Sequence, residues 1–168
     1  PFWTHFFSVI GVLGKWHVVL GILAVVSICL WFWDRRAFIF PLLVSVGGAE
    51  LTTVILKNII ARPRPGMDMV VEKSFAFPSG HATVAIALYG FFVYILFRLC
   101  RTRMEKIFVF LIGASIILLI GFSRIYIGVH YASDVLGGYL VGVLWLAIGM
   151  CLAEHFLARG NISSQSHS

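Results

Sequence analysis

Charge is scarce in this chain. Only 12% of its 168 residues are Asp, Glu, Lys or Arg, too few to solvate the surface of an ordinary water-soluble domain of that length. Acidic residues are fewer than basic ones, 7 against 13. Two of them, Asp68 and Glu72, share a polar loop without ligand spacing, so a metal cage built from clustered carboxylates is not expected. The three cysteines, Cys29, Cys100 and Cys151, are scattered in or beside apolar stretches without a CxxC pair, which fits small buried hydrophobes better than a disulfide frame. No internal repeat and no long polar linker divides the chain, which excludes a solenoid and leaves one helical domain, residues 1–157. A basic start followed by a small-residue cleavage site is also missing, which argues against a signal peptide.

What the chain does have is oil. Hydrophobic residues make up 60% of it, and the mean hydropathy is +0.98. A hydrocarbon core about 30 Å thick needs roughly 20 apolar residues in helical form. Val18–Trp33, Phe38–Ile60, Ala82–Leu99, Ile107–Phe122 and Val135–Leu157 approach or exceed that length. These runs are continuous rather than alternating, which argues against an outer-membrane barrel. The expected fold is therefore all-α, a polytopic membrane helical bundle with five spanning helices. Residues 1–14 are aromatic and too short to span, as an interfacial helix would be, and the start at Pro1 suggests that a segment precedes it. Residues 158–168 turn abruptly polar and are expected to form a disordered tail.

Counting spans places the first turn, the three-four loop and the C-terminus on one side of the bilayer. That side holds seven cations, Arg35, Arg36, Arg98, Arg101, Arg103, Lys106 and Arg159. The other side holds six, Lys15, Lys57, Arg62, Arg64, Lys73 and Arg124, or three once the motif cations Lys57, Arg64 and Arg124 are set aside. The three-four loop is then cytoplasmic. The loops after the second and fourth spans consequently share the opposite face, which brings distant motifs together. The positive balance has no soluble basic domain to carry it, so anionic lipid and phosphate are better partners than nucleic acid.

Those two loops hold Lys57-x6-Arg64-Pro65, Pro78-Ser79-Gly80-His81 and Ser123-Arg124-x5-His130-x3-Asp134. Ionisable groups at membrane depth are costly and point to function. Lys57, Arg64 and Arg124 can balance a phosphate, the arginines adding forked donors; Lys57 alone would suit simple snorkelling at a helix end. Ser79 suits a helix cap whose backbone N–H groups meet an anionic oxygen, with Gly80 allowing close approach and His81 projecting beside it. An ordinary capped helix with its His at the headgroups is the competing reading. His130 and Asp134 fall on one helical face if the last helix begins near Tyr131 or earlier, letting the carboxylate hold the imidazole and leave its other nitrogen free to attack phosphorus. A purely structural His–Asp bond competes with that. His5, His17, His155 and His167 are solitary, and Glu50 would pair within the bundle or line the pocket. Gly138-x3-Gly142, next to Gly137, reads as a helix-packing stripe.

Together the three blocks resemble the type-2 phosphatidic acid phosphatase superfamily, over Lys57 to Asp134 and with no departure at the motif positions. Small size and few loops make the chain most similar to the bacterial phosphatidylglycerophosphatase B type. The resemblance implies six spanning helices, the first lying before Pro1, and a metal-independent lipid phosphatase of a bacterial cell membrane with no cofactor and its site on the non-cytoplasmic side. It also implies phosphate binding by Lys57, Arg64, Ser79, Gly80 and Arg124, a nucleophilic His130, an orienting Asp134 and acid catalysis by His81. The expected substrate is phosphatidylglycerophosphate or a related lipid phosphate, with undecaprenyl diphosphate as the alternative. A related vanadate-dependent haloperoxidase is a further possibility in this superfamily, though such oxidants are soluble as a rule. From another class, a non-catalytic lipid-phosphate binder or translocator would keep the cationic pocket but would need no nucleophile.

Overall fold

The computed structural model describes residues 2–65 and 74–165, the last six of these by backbone alone. Asp68, Glu72 and Lys73 lie outside the described residues. Seven α-helices follow one another among the described residues: α1 Phe2–Val12, α2 Trp16–Phe32, α3 Ile39–Ile60, α4 Gly80–Val84, α5 Phe91–Leu99, α6 Arg103–Tyr126 and α7 Ala132–Gln165. A 3₁₀ turn, Arg36–Phe38, leads into α3, and a π-helical stretch, Ala85–Gly90, joins α4 to α5 as one rod. No strand occurs among the described residues.

Among the described residues four helical stretches are long and apolar enough to cross a bilayer: Arg36–Ile60, Gly80–Leu99, Arg103–Tyr126 and Ala132–Arg159. A fifth is reached if α1 and α2, bent by 51° at their junction, count as one span. The expected polytopic bundle of apolar helices is thus present. The last helix continues to Gln165, past the Leu157 boundary expected from composition.

Local chemistry sets the ends of these rods. α3 stops where Ala61 turns left-handed, φ 49°, before Pro63 and Pro65, neither of which could donate to a continuing helix. α6 starts at a capping box, with the Thr102 hydroxyl accepting from the Glu105 amide and the Glu105 carboxylate accepting from the Thr102 amide. Outward positions remain apolar, among them Phe32, Ile59 and Leu140, as suits a surface facing lipid.

The core is built from Leu42, Ala49, Leu88, Phe91 and Ala153, all fully buried. Small residues let α7 pass close to its neighbours. A Cβ on Gly138 would lie 2.6 Å from the Ser79 carbonyl oxygen, and one on Gly142 would lie 2.7 Å from that of Thr83. The stripe expected to serve packing does so, and it seats α4 directly on α7. Farther along the bundle the Trp145 ring fills the space beside Gly48, and its Nε1–H donates to Thr52 Oγ1 at 2.9 Å.

Candidate active site

The C-terminal end of α3, the start of α4, the end of α6 and the start of α7 meet at one end of the bundle, so the three motifs converge as topology required. Backbone bonds tie them together. The Ser79 amide donates to the Asp134 carbonyl at 2.9 Å, and the amides of Val129 and His130 donate to the Arg124 carbonyl at 3.2 and 3.3 Å.

His130 lies in the turn between α6 and α7, 3% exposed. Its Nε2 is 3.4 Å from Arg64 Nη1, and its Nδ1 is 3.5 Å from Asp134 Oδ2. Burial, and then the charges of Arg64, Lys57, Arg124 and His81, push its pKa down to about 2. The imidazole is therefore neutral in neutral solution, with one nitrogen lone pair available.

Asp134 is fully buried, and its position departs from the expectation in two respects. α7 begins at Ala132, so His130 precedes the helix instead of sharing its face. The carboxylate is also held mainly by other donors: Oδ2 accepts from the Tyr131 amide at 2.9 Å, the reach-back of an acidic residue in a first helical turn. Oδ1 accepts from Arg62 Nη1 at 2.7 Å. At 3.5 Å, the His130 contact is longer than a hydrogen bond.

Arg62 is the residue that sequence reasoning passed over as a loop cation. It bonds Asp134 and the Ser133 hydroxyl, both at 2.7 Å, and its guanidinium lies 4.3 Å from the centre of the Tyr131 ring. The doubled Arg-Pro of Arg62-Pro63-Arg64-Pro65 was the available signal. Arg64 is anchored by the Ser74 carbonyl at 2.7 Å, the Ser74 hydroxyl at 2.9 Å and the Val129 carbonyl at 2.9 Å. Lys57 Nζ donates to the Phe75 carbonyl. The strand of chain after the polar loop is thus pinned by two motif cations.

Ser79 occupies the N-cap position of α4, but its hydroxyl makes no capping bond. Among the described residues the buried atoms Ser79 Oγ, His81 Nε2 and Thr53 Oγ1 have no hydrogen-bond partner. Leaving such groups unmatched costs about 1–3 kcal/mol each, a cost that an anionic oxygen at the site would remove. Thr53, also missed from sequence, stands one helical turn before Lys57, and its Cγ2 is 3.6 Å from where a Cβ on Gly80 would lie. Arg124 is 5% exposed at the end of α6, beside Ser123, whose hydroxyl donates to the Ile120 carbonyl at 2.6 Å. Lys57, Arg64, Ser79, Gly80, His81, Arg124, His130 and Asp134 all belong to this end of the bundle.

A helical membrane bundle that gathers a buried histidine and the cations Lys57, Arg64 and Arg124 at one end has the parts of a membrane-embedded phosphatase. The chain belongs to the PAP2 superfamily, whose pattern residues 38–156 match. It is 34% identical over 134 residues to phosphatidylglycerophosphatase B of Bacillus subtilis, covering 79% of this chain and 66% of that protein. The crystal structure of the transmembrane PAP2-type phosphatidylglycerolphosphate phosphatase of Bacillus subtilis superposes with a TM-score of 0.86 at 31% identity, over 92% of this chain and 78% of the other. A candidate undecaprenyl-diphosphatase of Escherichia coli, YbjG, is 23% identical over 148 residues, 78% of this chain and 70% of its own length.

Proposed function

We propose that the chain hydrolyses a membrane lipid phosphate, phosphatidylglycerophosphate or a related monoester, through a phosphohistidine on His130. The observation that carries this reading is the meeting of all three motifs around a buried, neutral His130, with Arg64 3.4 Å from its Nε2. The Nε2 lone pair forms a bond to phosphorus as the bond from phosphorus to the lipid oxygen breaks. His81 gives its proton to that departing oxygen, producing the lipid alcohol. Water then attacks the phosphohistidine, the P–N bond breaks, and His81 takes the water's proton.

Proton transfer accounts for only about 10²–10⁴ of the rate enhancement, whereas hydrolysis of phosphate monoesters needs enhancements approaching 10²¹. Charge stabilisation by Lys57, Arg64 and Arg124 supplies much of the remainder. Asp134 keeps the Nδ1 side of the ring oriented, with Arg62 bracing the carboxylate. Asp134 is the one carboxylate among the named site residues and is already held by Arg62 and the Tyr131 amide, a set that suits an anion better than a divalent metal, so no cofactor enters the scheme. The substrate's tail stays in the bilayer while its headgroup enters from the side. The excess of cations at the far end of the bundle supports a non-cytoplasmic site in a bacterial cell membrane.

Phosphate release from a panel of purified lipid phosphates, in the presence of chelator and with His130→Ala as control, tests the reading. Release by the wild type, with a trapped phosphohistidine that disappears in His130→Ala, is the expected result. Chelator-sensitive release, or a phosphohistidine surviving in His130→Ala, would overturn it. Likeness to YbjG and the three cations favour a second substrate, undecaprenyl diphosphate, and side-by-side turnover separates the two lipids. Binding without release would instead favour the translocator.

A further inference from the structure

The junction of α1 and α2 holds none of the motif residues, yet it presses on two of them. A Cβ built on Gly14 would lie 2.7 Å from His81 Cδ2 and 3.0 Å from both its Cβ and its Cγ. Because the clash reaches the root of the side chain, turning the ring cannot relieve it. A Cβ on Gly11 would lie 3.0 Å from Arg124 Nη1 and 3.6 Å from Ser123 Oγ. That contact is with the tip of a long side chain, which can give way.

The junction is also held in place. Successive turns bond Leu13, Gly14 and Lys15 back to Ile10, Gly11 and Val12, and the Tyr89 hydroxyl donates to the Leu13 carbonyl at 2.9 Å. Tyr89 stands in the π-helical stretch that follows His81, a kind of irregularity that often marks functional positions. On the other flank Phe7 packs against Tyr126, with ring centres 4.5 Å apart, and against Phe122. His81 Nε2 has no hydrogen-bond partner among the described residues, so packing rather than a bond at that nitrogen sets the ring's position.

We propose that the elbow Gly11–Lys15 is a wall of the phosphate pocket, and that Gly14 and Gly11 are positioning residues that seat His81 and Arg124. Lys15, next to Gly14, adds a cation to that wall. The inference rests on the lipid phosphatase reading above. It assigns the two glycines different effects, because His81 serves the leaving oxygen and Arg124 serves the phosphate.

The test compares the first turnover, which forms the phosphohistidine before His81 is needed as a base, on two esters: a lipid phosphate, whose alkoxide must be protonated to leave, and an alkylated nitrophenyl phosphate, whose phenolate leaves without a proton. Gly14→Ala is expected to slow the first-turnover release of alcohol from the lipid phosphate by about 100-fold with little change in KM, and to spare the nitrophenolate burst to within about 5-fold, since general-acid catalysis contributes about 10²–10⁴. Gly11→Ala should raise KM for both esters alike and by less. Tyr89→Phe, which removes the tether and keeps the ring, should show the Gly14→Ala pattern more weakly. Gly21→Ala and Gly47→Ala, with nothing within 4 Å of the added methyl, should match the wild type. Equal loss on both esters in Gly14→Ala and Tyr89→Phe, or wild-type turnover in both, would overturn the elbow's role; if Gly14→Ala fails to fold, Tyr89→Phe alone decides. A wild type inactive on every phosphate would overturn the underlying phosphatase reading instead.

Discussion

Removing Arg62 probes a buried carboxylate through its salt-bridge partner. Asp134 is completely buried, while the Arg62 side chain is 35% exposed. Breaking a fully buried pair from one side costs about 3–5 kcal/mol, and a solvent-exposed pair is worth about 0.2–1. Screening of the half-exposed guanidinium places Arg62→Ala between them, at about 1–3 kcal/mol of stability. Since Oδ1 loses the Arg62 donor while Oδ2 keeps the Tyr131 amide, the carboxylate should rotate about that remaining anchor and lose its register with His130. Turnover should therefore fall by roughly 10–100-fold through kcat, a factor of ten corresponding to about 1.4 kcal/mol, with KM little changed. Arg62→Lys should recover part of the charge effect, but not the fixed planar placement by which Nη1 meets both Asp134 and Ser133. Thermal unfolding in detergent and steady-state release of phosphate measure the two losses. Wild-type stability and kcat in Arg62→Ala would refute the idea that this pair braces Asp134.

Four other outcomes follow from the structure. His130, with its pKa pushed down to about 2, should show no ring titration by NMR between about pH 4 and 8; a midpoint near its ordinary value of about 6.5 would contradict the burial argument. By linkage the folded state loses stability as pH falls below about 6.5 toward 2, where the unfolded chain takes up a proton that the folded one refuses, by up to about 1.4 kcal/mol per pH unit. Asp134→Asn should cut turnover far more than lipid-phosphate binding, and unaltered turnover would reject its orienting role. Gly48→Ala would place a methyl 2.2 Å from the Trp145 ring and should cost about 1–3 kcal/mol by overpacking, read as a lower unfolding temperature without a change in the ratio of activities on different lipids.

Much of the design was legible before any coordinates. Long apolar runs declared spanning helices because a bilayer leaves few other ways to satisfy the backbone. The parity of those runs placed Arg64, His81 and His130 at one end. Gly138 and Gly142 announced close packing, and the three motifs named the residues that gather at the site. These features are local or additive along the chain, so a reader of the sequence can count them.

Other features arise only when distant segments share space. Arg62 meets Asp134 across 72 positions, and no periodicity marks that pairing. The start of α7 at Ala132 turned an expected helical His–Asp pair into a 3.5 Å contact braced by other donors, because the carboxylate was drawn to the first-turn amide. Gly11 and Gly14 look like ordinary junction residues until α1 folds back along α6 and brings backbone against Arg124 and His81. Hydrophobicity and topology determine which end of the membrane bundle the chemistry occupies; the close packing of particular side chains, which sequence spacing does not encode, decides what holds each reactive group in place.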